Sequence, residues 1–587
     1  MPVPNRSKLR LVLLLALAIA ALLLIVFGPM FLGRFSLNVL TRSMIYAMLA
    51  ITVDLLWGYT GVLTFGQAAF FGVGAYATAM VLTHIGASPG LFVVALAAAI
   101  FVPLLLGLAV GWLSFYHGST PLYATVISLV VPIVVTQLIF SGGTWTGSSS
   151  GLVGYETLPL GLPGYFRLSG ACLMVMAALA IVFVRSDAGR LLVAIRDNEA
   201  RVAYLGMNPA RLKIVLTGVL AGVCGLAGFL YANASGVVAP ENTGFVFGTE
   251  LVVWTALGGR GTIIGPLFGA IGIDYLSASL SGDLPFLWQL IVGALFVIMI
   301  ILLPGGLASL VRRFLQSANS SSTLTSLPTR IVAKEAASAG KSLLSIRGLG
   351  KSYGSLSVLK GIDLEIGAGE LVSLVGPNGA GKTTLMRCLS DGTEQIEGQV
   401  DIIGTNIAGR APERIVALGV GRKFQVASIF DSMTVGECLK MARLSRETPN
   451  PMRSAAEIML PAAAAEILTL TGMADMLEKP VSLLSHGQRQ ALELAMVVAL
   501  EPRIILLDEP TAGLTKTERM TIGTILKKLT DQMGFAAILV EHDLDFVREI
   551  SSRIVVLHQG KLVLDGTVND VVNSETVRTI YAGGAHG

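Results

Sequence analysis

Residues 371–384 read LVSLVGPNGAGKTT and decide the fold of the second half of the chain. The first five residues form an apolar run that is typical of a buried strand. The next nine match the phosphate-loop pattern GxxxxGK[ST], in which backbone N–H groups and the N-terminus of the following helix surround phosphate oxygens. In this pattern Lys382 reaches the β- and γ-phosphates of a nucleotide, and the Thr383 hydroxyl binds Mg²⁺. The residues that we expect at the phosphates are Gly376, Asn378, Gly379, Gly381, Lys382, Thr383 and Thr384.

A second apolar run, IILLDE at residues 504–509, ends in two carboxylates. A carboxylate at the end of a strand that faces a phosphate loop suits Mg²⁺, which prefers oxygen ligands. We therefore expect Asp508 to bind the metal, directly or through water, and Glu509 to polarise the attacking water. The alternative is a pair of surface acids at a strand end, and the phosphate loop upstream makes this the weaker interpretation.

Residues 484–488, LSHGQ, resemble the LSGGQ signature of the ATP-binding-cassette (ABC) ATPases, with His486 in place of the first glycine. Gln425, in the stretch GRKFQ, matches the Q-loop of that family. His542, in EHD, matches its switch histidine, and Tyr353 stands where the family stacks an aromatic ring on adenine. All these motifs occur in the family's order, so this half of the chain is identified as a member of the family.

The resemblance covers residues 343–585 and implies a mechanism. Two such domains would dimerise head to tail and enclose ATP between the phosphate loop of one and the signature of the other. Glu509 would be the general base, His542 would orient the γ-phosphate, and Gln425 would bind Mg²⁺ and couple to the membrane domain. The D-loop at residues 512–515 reads AGLT, whereas many relatives have Asp at its last position. This difference bears on how the loop contacts the partner domain and not on hydrolysis. The signature residues expected at the partner's ATP are Ser485, Gly487 and Gln488.

Composition separates the two halves of the 587-residue chain. Only 14% of the residues are charged, and about 25% is usual for soluble domains, so a wholly soluble protein is excluded. Residues 1–315 hold 15 Lys and Arg against nine Asp and Glu, a net +6, and residues 316–587 carry a net −2. We therefore expect a domain in the lipid bilayer followed by a soluble domain. The total charge of +4 argues against a nucleic-acid partner, and four scattered cysteines exclude a disulfide scaffold.

Several apolar segments are long enough to span a bilayer. Three cations precede the first of them, residues 11–32, so we expect a retained span with a cytoplasmic N-terminus. A cleaved secretory signal is the alternative, but its apolar core would be shorter. The further candidate segments are residues 37–56, 63–82, 91–115, 122–140, 168–184, 214–231, 251–275 and 287–303.

Two loops set the expected orientation of these spans. Residues 141–166 are rich in Gly, Ser and Pro and hold no cation, whereas residues 185–213 hold six. The positive-inside rule places the first loop outside and the second in the cytoplasm. Arg312 and Arg313 follow the last apolar segment, and the same rule places them in the cytoplasm. Three crossings after the loop 185–213 would instead place them outside. We therefore predict that the segment 251–275, interrupted by GGRG at 258–261, is re-entrant or split into two short helices.

Other features of the membrane half allow two interpretations each. The loop 185–213 predicts an amphipathic helix, either docked on the soluble domain or lying on lipid headgroups. A glycine cluster favours close helix packing, and a broken helix that lines a pathway is the alternative. Three acids are functional candidates because intramembrane charge is costly; an interfacial position or a hydrogen bond between helices is the alternative. The glycines are Gly58, Gly61, Gly66, Gly72 and Gly74, and the acids are Asp54, Glu250 and Asp274.

The boundaries follow from a Ser-rich stretch between the halves. Residues 316–341 lack helical or strand periodicity and predict a flexible tether. We therefore expect a multi-span α-helical permease domain over residues 1–315, a linker over 316–341, and an α/β phosphate-loop NTPase domain of the ABC type over 342–587.

The membrane half resembles the permease of the branched-chain amino-acid importer family over most of residues 30–310. The ATPase half resembles that family's ATP-binding subunit, so two normally separate chains are fused here. Urea and short-amide importers form a close branch, and stretches such as VLHQG at 556–560 lean modestly toward it. The stretches that carry the permease resemblance are DLLWGYTG at 54–61, FGQAAFFGVGAY at 65–76, AIRDNE at 194–199 and LGGRGT at 257–262.

The resemblance implies an ATP-driven importer of the bacterial inner membrane, with ATP and Mg²⁺ as its cofactors. It would move branched-chain or related hydrophobic amino acids that a periplasmic binding protein delivers. Urea or short-amide import is the main alternative, and an ABC exporter half-transporter or a membrane-anchored regulatory ATPase are the others. One chain supplies one permease and one ATPase, so its partner is a second permease with a second ATPase or a copy of itself.

Overall fold

The computed structural model of the chain describes residues 6–116, 121–283, 287, 290, 293–294, 297–298, 301–303, 305–309, 329–330, 342–447, 449–452, 459–575 and 577. The chain divides into two compact units. The first comprises Met1–Arg196, Ala210–Ser321 and Pro451–Arg453, and the second comprises Asp197–Pro209, Ser322–Asn450 and Ser454–Gly587.

Long apolar helices build the first unit, as its composition predicts. Five of the described helices, α2, α4, α5, α6 and α8, are long and apolar enough to cross a membrane. The helices are α1 (Arg6–Phe31), α2 (Arg34–Thr60), α3 (Gln67–His84), α4 (Pro89–Phe115), α5 (Pro121–Ser141), α6 (Gly161–Arg185), α7 (Asp187–Ala203), α8 (Pro209–Ser235), α9 (Phe245–Gly258) and α10 (Ile264–Asp283). Two short strands, β1 (Leu152–Val153) and β2 (Val237–Val238), pair antiparallel.

Seven of the predicted segments fall on α1, α2, α3, α4, α5, α6 and α8, with one difference at the start of α3. The predicted segment 63–82 begins before its helix, because Gly61 ends α2 in a left-handed conformation with φ +80°. Its N–H donates to the last carbonyls of α2, which is a common way to end a helix. Residues 61–66 are not helical, and α3 begins at Gln67. The predicted segment 287–303 lies largely outside the described residues.

The predicted interruption near GGRG is confirmed. Helix α9 ends at Gly258 and α10 begins at Ile264, so the apolar segment forms two helices joined by a turn. Gly259 has φ +111° and Gly261 has φ +75°, a backbone that favours glycine at both positions.

Glycines let the helices of the first unit approach closely. A Cβ at Gly72 would overlap the side chain of Thr243, and a Cβ at Gly74 would lie 2.5 Å from the Cα of Gly225. A Cβ at Gly58 would overlap the carboxylate of Asp54. The packing interpretation of the glycine cluster is therefore confirmed at these three positions.

Parallel strands form the centre of the second unit. Its six-stranded sheet has the order β14–β13–β6–β12–β11–β9, and all neighbouring pairs are parallel except β14 with β13. Every residue of β6, β11 and β12 is buried, which is typical of strands covered on both faces. The strands of this sheet are β6 (Leu371–Val375), β9 (Val420–Lys423), β11 (Ile504–Asp508), β12 (Ala536–Val540), β13 (Arg553–His558) and β14 (Lys561–Gly566).

A second, antiparallel sheet has the order β5–β4–β7–β8. Its strands are β4 (Ser342–Tyr353), β5 (Leu356–Gly367), β7 (Glu397–Ile402) and β8 (Thr405–Asn406). The helices of this unit are α11 (Lys382–Ser390), α12 (Pro412–Ala417), α13 (Val435–Arg443), α14 (Ala462–Leu470), α15 (His486–Ala499), α16 (Lys516–Met533), α17 (Leu544–Ile550) and α18 (Val568–Val572). The predicted fold class, a helical membrane domain followed by an α/β ATPase domain, is confirmed.

Two loops of the sequence acquire structure. Within the expected tether 316–341, only Thr329 and Arg330 are described; they form strand β3, which pairs with β10 (Leu460–Pro461). The loop 185–213 contains the predicted helix, α7, which is interrupted at Asn198, where φ is −159° and ψ is 86°. The segment Asp197–Pro209 packs within the second unit, and this favours docking over an arrangement on lipid headgroups.

Candidate functional site: a nucleotide site at one edge of the parallel sheet

Strand order brings the predicted catalytic residues to one edge of the sheet. The carboxyl ends of parallel strands meet at the same edge, and β6, β12, β11 and β9 are consecutive neighbours. The phosphate loop follows β6, His542 follows β12, Glu509 follows β11 and Gln425 follows β9. Ligand sites of open α/β sheets lie outside these carboxyl ends.

The phosphate loop has the backbone that its glycines allow. Gly376, Gly379 and Gly381 have φ of +152°, +79° and +104°, and a Cβ at Gly376 would overlap the carbonyl oxygen of Leu557. The Lys382 ammonium donates to the carbonyl oxygens of Gly376 (2.7 Å) and Pro377 (3.0 Å). Burial lowers the pKa of Lys382 from its usual value, and the nearby carboxylates of Glu509 and Asp508 oppose that shift.

Gln425, Glu509 and His542 form one hydrogen-bonded cluster. The Gln425 amide donates to Glu509 Oε2 at 2.9 Å, and His542 Nε2 lies 2.9 Å from Glu509 Oε1. Glu509 has φ +44°, a left-handed conformation that is uncommon for a residue with a Cβ and that is often found at active sites. The structure therefore brings together three residues that lie up to 117 positions apart in the sequence.

The residues around Asp508 fit a bound cation. Asp508 is buried at the end of β11, and its Oδ1 has no hydrogen-bond partner among the residues that the structure describes. Burial raises the pKa of this carboxyl, and the cations of Arg422, Lys423 and Lys382 oppose that effect. A buried carboxylate oxygen that lacks a protein donor suits Mg²⁺, a hard cation that prefers oxygen ligands.

The signature residues form a separate group. Ser485 caps helix α15: its hydroxyl accepts from the Gln488 N–H at 3.3 Å, and the Gln488 side chain accepts from the Ser485 N–H at 3.1 Å. His486, the departure from the family pattern, places Nε2 3.2 Å from the carbonyl oxygen of Ala512, so it contacts the D-loop. No described hydrogen bond joins Ser485, Gly487 or Gln488 to the Gln425–Glu509–His542 cluster.

Tyr353 lies at the end of β4 with 44% of its surface exposed. The ammonium of Lys351 lies 4.8 Å from the centre of the Tyr353 ring, a favourable cation–π contact. The ring is exposed enough to stack on a flat ligand.

The structure contains a buried charge cluster that the sequence did not predict. Glu493 on α15 and Arg201 are both completely buried, and Arg201 Nη1 lies 3.3 Å from Glu493 Oε1. Arg201 also donates to the Arg422 carbonyl oxygen at 2.9 Å, and the Lys423 ammonium lies 3.9 Å from Glu493 Oε2. Burial lowers the pKa of Lys423 to about 8 and raises the pKa of Glu493. The positively charged loop was visible in the sequence, but no local pattern pairs Arg201 with a residue 292 positions later.

Further contacts of the segment Asp197–Pro209 lie on either side of Arg201. The Asp197 carboxylate accepts from the Ser432 backbone N–H at 2.9 Å and from its hydroxyl at 2.5 Å. Asn208 donates to Glu413 at 2.6 Å. This segment is therefore held by charged and polar contacts along its length, and Arg201 contacts the Q-loop strand β9.

The three candidate acids of the membrane half have different environments. Asp54 is fully buried and accepts from the backbone N–H groups of Gly261, Thr262 and Ile263 at 2.5, 3.2 and 3.0 Å. Asp274 pairs with Arg42, whose Nη2 lies 2.9 Å from Oδ1. For both acids the hydrogen-bonded alternative is correct. The Glu250 carboxylate makes no hydrogen bond or ion pair with a described residue and lines a cavity.

Comparison with known proteins relates both halves of the chain to one kind of system. Residues 35–300 match the family described as the permease component of the branched-chain amino acid transport system. Residues 359–512 match the family described as ABC transporter.

Curated relatives match the second half. The chain is 33% identical to the high-affinity branched-chain amino acid transport ATP-binding protein BraF of Pseudomonas aeruginosa, over 41% of this chain and 98% of that protein. It is equally similar, with the same coverage, to LivG of Escherichia coli, which carries the same description. Among solved structures, the ADP conformation of MJ1267, an ATP-binding cassette of an ABC transporter, is 24% identical, with a TM-score of 0.36, over 41% of this chain and 99% of that chain.

Proposed function

The chain belongs to the ABC transporters of the branched-chain amino acid type, with permease and ATP-binding cassette fused, and on this premise we propose that it imports branched-chain or related hydrophobic amino acids. Import would run across a bacterial inner membrane, from a separate periplasmic binding protein to the cytoplasm. ATP hydrolysis by the cassette is coupled to transport in this family.

One observation carries the proposal: the permease half and the cassette half each match proteins of branched-chain amino acid transport. The permease match rests on residues 35–300, which contain no nucleotide motif, and the cassette relatives rest on the other half. BraF and LivG are branched-chain amino acid transport proteins, and the family matched by the permease half is described by the same substrates. A cassette borrowed from an unrelated exporter would not produce that agreement.

The geometry at the sheet edge supports a hydrolytic role for the Gln425–Glu509–His542 cluster. Glu509 would accept a proton from the attacking water. His542, which lies beside Glu509 Oε1 while Gln425 donates to Oε2, would hold Glu509 in position and contact the γ-phosphate. Lys382 would exchange its loop carbonyl partners for phosphate oxygens. Asp508, Thr383 and Gln425 would hold Mg²⁺, which neutralises charge on the β- and γ-phosphates.

Separation of the signature from this cluster supports a two-cassette assembly. Ser485 begins helix α15, and its N-terminal N–H groups favour an anion. Within one chain the signature has no described contact with Glu509. We therefore propose that Ser485, Gly487 and Gln488 contact ATP bound to a second cassette, supplied by a copy of this chain or by a separate subunit.

The first experiment compares uptake of labelled leucine and labelled urea in cells with and without the gene. The proposal expects ATP-dependent leucine uptake to be lost with the gene and urea uptake to be unchanged. Loss of urea uptake alone would move the chain to the amide branch. Substrate efflux would contradict the direction of transport, and uptake that needs no external binding protein would contradict the role of that protein.

A Glu509→Gln variant tests the hydrolytic site. The substitution keeps the shape of the side chain but removes the base, and general-base catalysis contributes about 10²- to 10⁴-fold to rate. We expect ATP hydrolysis to fall by that order while ATP still binds. Glu549→Gln, at an exposed acid of α17, is the matched control and should hydrolyse ATP normally. Normal leucine uptake by the Glu509→Gln variant would contradict the assignment of the chain as an ATP-driven importer.

A further inference from the structure

A cavity of about 560 Å³ lies in the first unit between α2, α9 and α10. Pockets for small molecules usually have volumes of about 300–1,000 Å³. Its wall contains three charged residues, Arg42, Glu250 and Asp274, in a half of the chain where charge is scarce. Charge inside a membrane segment is costly and marks substrate or ion pathways.

Asp274 fixes the position of Arg42. Arg42 donates to both carboxylate oxygens of Asp274, from Nη2 at 2.9 Å and from Nε at 3.3 Å. The Ser43 hydroxyl adds a third hydrogen bond to Asp274 at 2.6 Å. Arg42 keeps 42% of its side chain exposed, whereas Asp274 keeps only 8%. The remaining guanidinium nitrogen, Nη1, makes no hydrogen bond to a described side chain or carbonyl. Asp274 therefore fixes Arg42 in place while one of its nitrogens can still donate to a ligand.

Glu250 supplies the opposite charge. It is exposed on α9, lines the same cavity and has no hydrogen bond or ion pair among the described residues. An ionisable side chain among membrane helices is costly unless another group compensates its charge. An unpaired carboxylate at such a position is therefore best explained by a ligand that carries a positive charge.

Aromatic side chains form the apolar part of the wall. The ring of Tyr46 lies 4.9 Å from that of Phe247 and 5.8 Å from that of Trp254, measured between centroids. These rings pack as one cluster and present a rigid apolar surface beside the two charges.

We propose that this cavity binds the α-carboxylate of an amino acid at Arg42, its α-ammonium at Glu250, and its apolar side chain on Tyr46, Phe247 and Trp254. An Arg guanidinium suits a carboxylate because its donors match the two oxygens. A neutral amide such as urea supplies no cation for Glu250 and no carboxylate for the remaining donor of Arg42. The proposal rests on the proposed function, since it names where the permease would hold the amino acid that it transports.

Direct binding to the purified full chain in lipid nanodiscs tests this site without the binding protein or ATP. The probes are labelled L-leucine, isopentylamine, which lacks the carboxylate, 4-methylpentanoate, which lacks the amine, and urea. We expect saturable leucine binding that is at least tenfold tighter than binding of any other probe. No saturable leucine binding, or equal binding of urea, overturns the proposal.

Three variants separate a ligand contact from a structural effect. Glu250→Gln should weaken leucine binding at least tenfold and leave 4-methylpentanoate unchanged, because that probe has no ammonium. Glu250→Asp should retain most of the binding. Glu241→Gln, an exposed acid outside the cavity, is the control and should bind like the original chain. Basal ATP hydrolysis should be normal in all three variants, which shows that they fold.

Two outcomes would contradict the site and leave the proposed function intact. One is leucine uptake in cells together with unchanged leucine binding in Glu250→Gln. The other is a Glu250→Gln variant whose assembly mass changes while its leucine affinity does not, which would assign the wall to contact with a second permease. Absence of leucine uptake by the original chain in cells would instead contradict the proposed function itself.

Discussion

Among the residues that the structure describes, each half of this chain buries one carboxylate completely, and the two halves stabilise it in opposite ways. In the permease, three consecutive backbone N–H groups, of residues 261–263, donate to Asp54, and no described cation contacts it. In the cassette, Glu493 lies beside two cations, Arg201 and Lys423, and also accepts a backbone hydrogen bond from Phe424 at 3.2 Å.

The difference follows from what each environment provides. Between Ser43 and Phe166 the permease contains no Lys or Arg. Asp54 depends mainly on the backbone dipoles before helix α10, and the charge of Arg260 adds a weaker attraction. Glu493 instead lies beside cations from two separate segments, Arg201 of the loop 185–213 and Lys423 of β9. Backbone donors cannot leave when a side chain is changed, whereas an ion pair is lost with either partner. The cassette cluster should therefore be the more sensitive of the two.

The largest effect is expected for Arg201→Met. Removing one partner of a buried ion pair leaves an uncompensated charge and costs about 3–5 kcal/mol. All five tryptophans precede residue 289, so the cassette has none, and its unfolding is better followed through a buried thiol. We expect Cys438, which is fully buried, to become reactive toward iodoacetamide at a clearly lower temperature in Arg201→Met.

Two further variants sharpen this result. Adding Glu493→Gln to Arg201→Met should restore much of the stability, because the buried charge is removed. Lys528→Met, which breaks an exposed ion pair with Glu466, is the control and should change stability by about 0–1 kcal/mol. A loss in Lys528→Met as large as that in Arg201→Met would show that burial does not set the size of the effect.

A smaller effect is expected for Asp54→Asn. The amide offers one neutral acceptor to three N–H donors, and leaving buried donors unsatisfied costs about 1–3 kcal/mol. Since all tryptophans lie in the permease half, the thermal shift of tryptophan fluorescence reports this unfolding. Glu241→Gln serves as the exposed control. If Asp54→Asn proves more destabilising than Arg201→Met, the contrast between backbone and ion-pair stabilisation is wrong.

The smallest effect is a pH dependence at Lys423. Its pKa is about 8 in the folded chain and 10.5 ordinarily, so between these values the unfolded chain holds a proton that the folded chain does not. Stability contributed by this group therefore rises with pH across that window. Calorimetry at pH 8 and pH 10 should show the melting temperature of the original chain rising relative to that of Lys423→Met. A constant or falling difference would contradict burial as the cause.

Much of the fold was accessible from local patterns. The phosphate loop, the strand that ends in Asp508, and the motifs around Gln425 and His542 each occupy a short stretch of sequence, so the edge of the sheet was predictable once the strands were placed. Apolar runs located the membrane helices for the same reason, because hydrophobicity is a local property. The start of α3 was predicted too early, because a left-handed glycine and the irregular segment after it have no hydrophobic signal.

The sequence by itself determined the class of each half and the chemistry of the nucleotide edge, since those depend on residues that are neighbours in the chain or follow parallel strands. Only the tertiary structure decided which distant charges meet. Arg42 and Asp274 are 232 residues apart, and Arg201 and Glu493 are 292 apart. A salt bridge or a cavity wall is set by the packing of whole helices, and nothing in the local composition of either partner specifies the other. The same holds for Glu250. Its sequence neighbours do not show that its carboxylate shares a cavity with the Arg42 guanidinium and a group of aromatic rings.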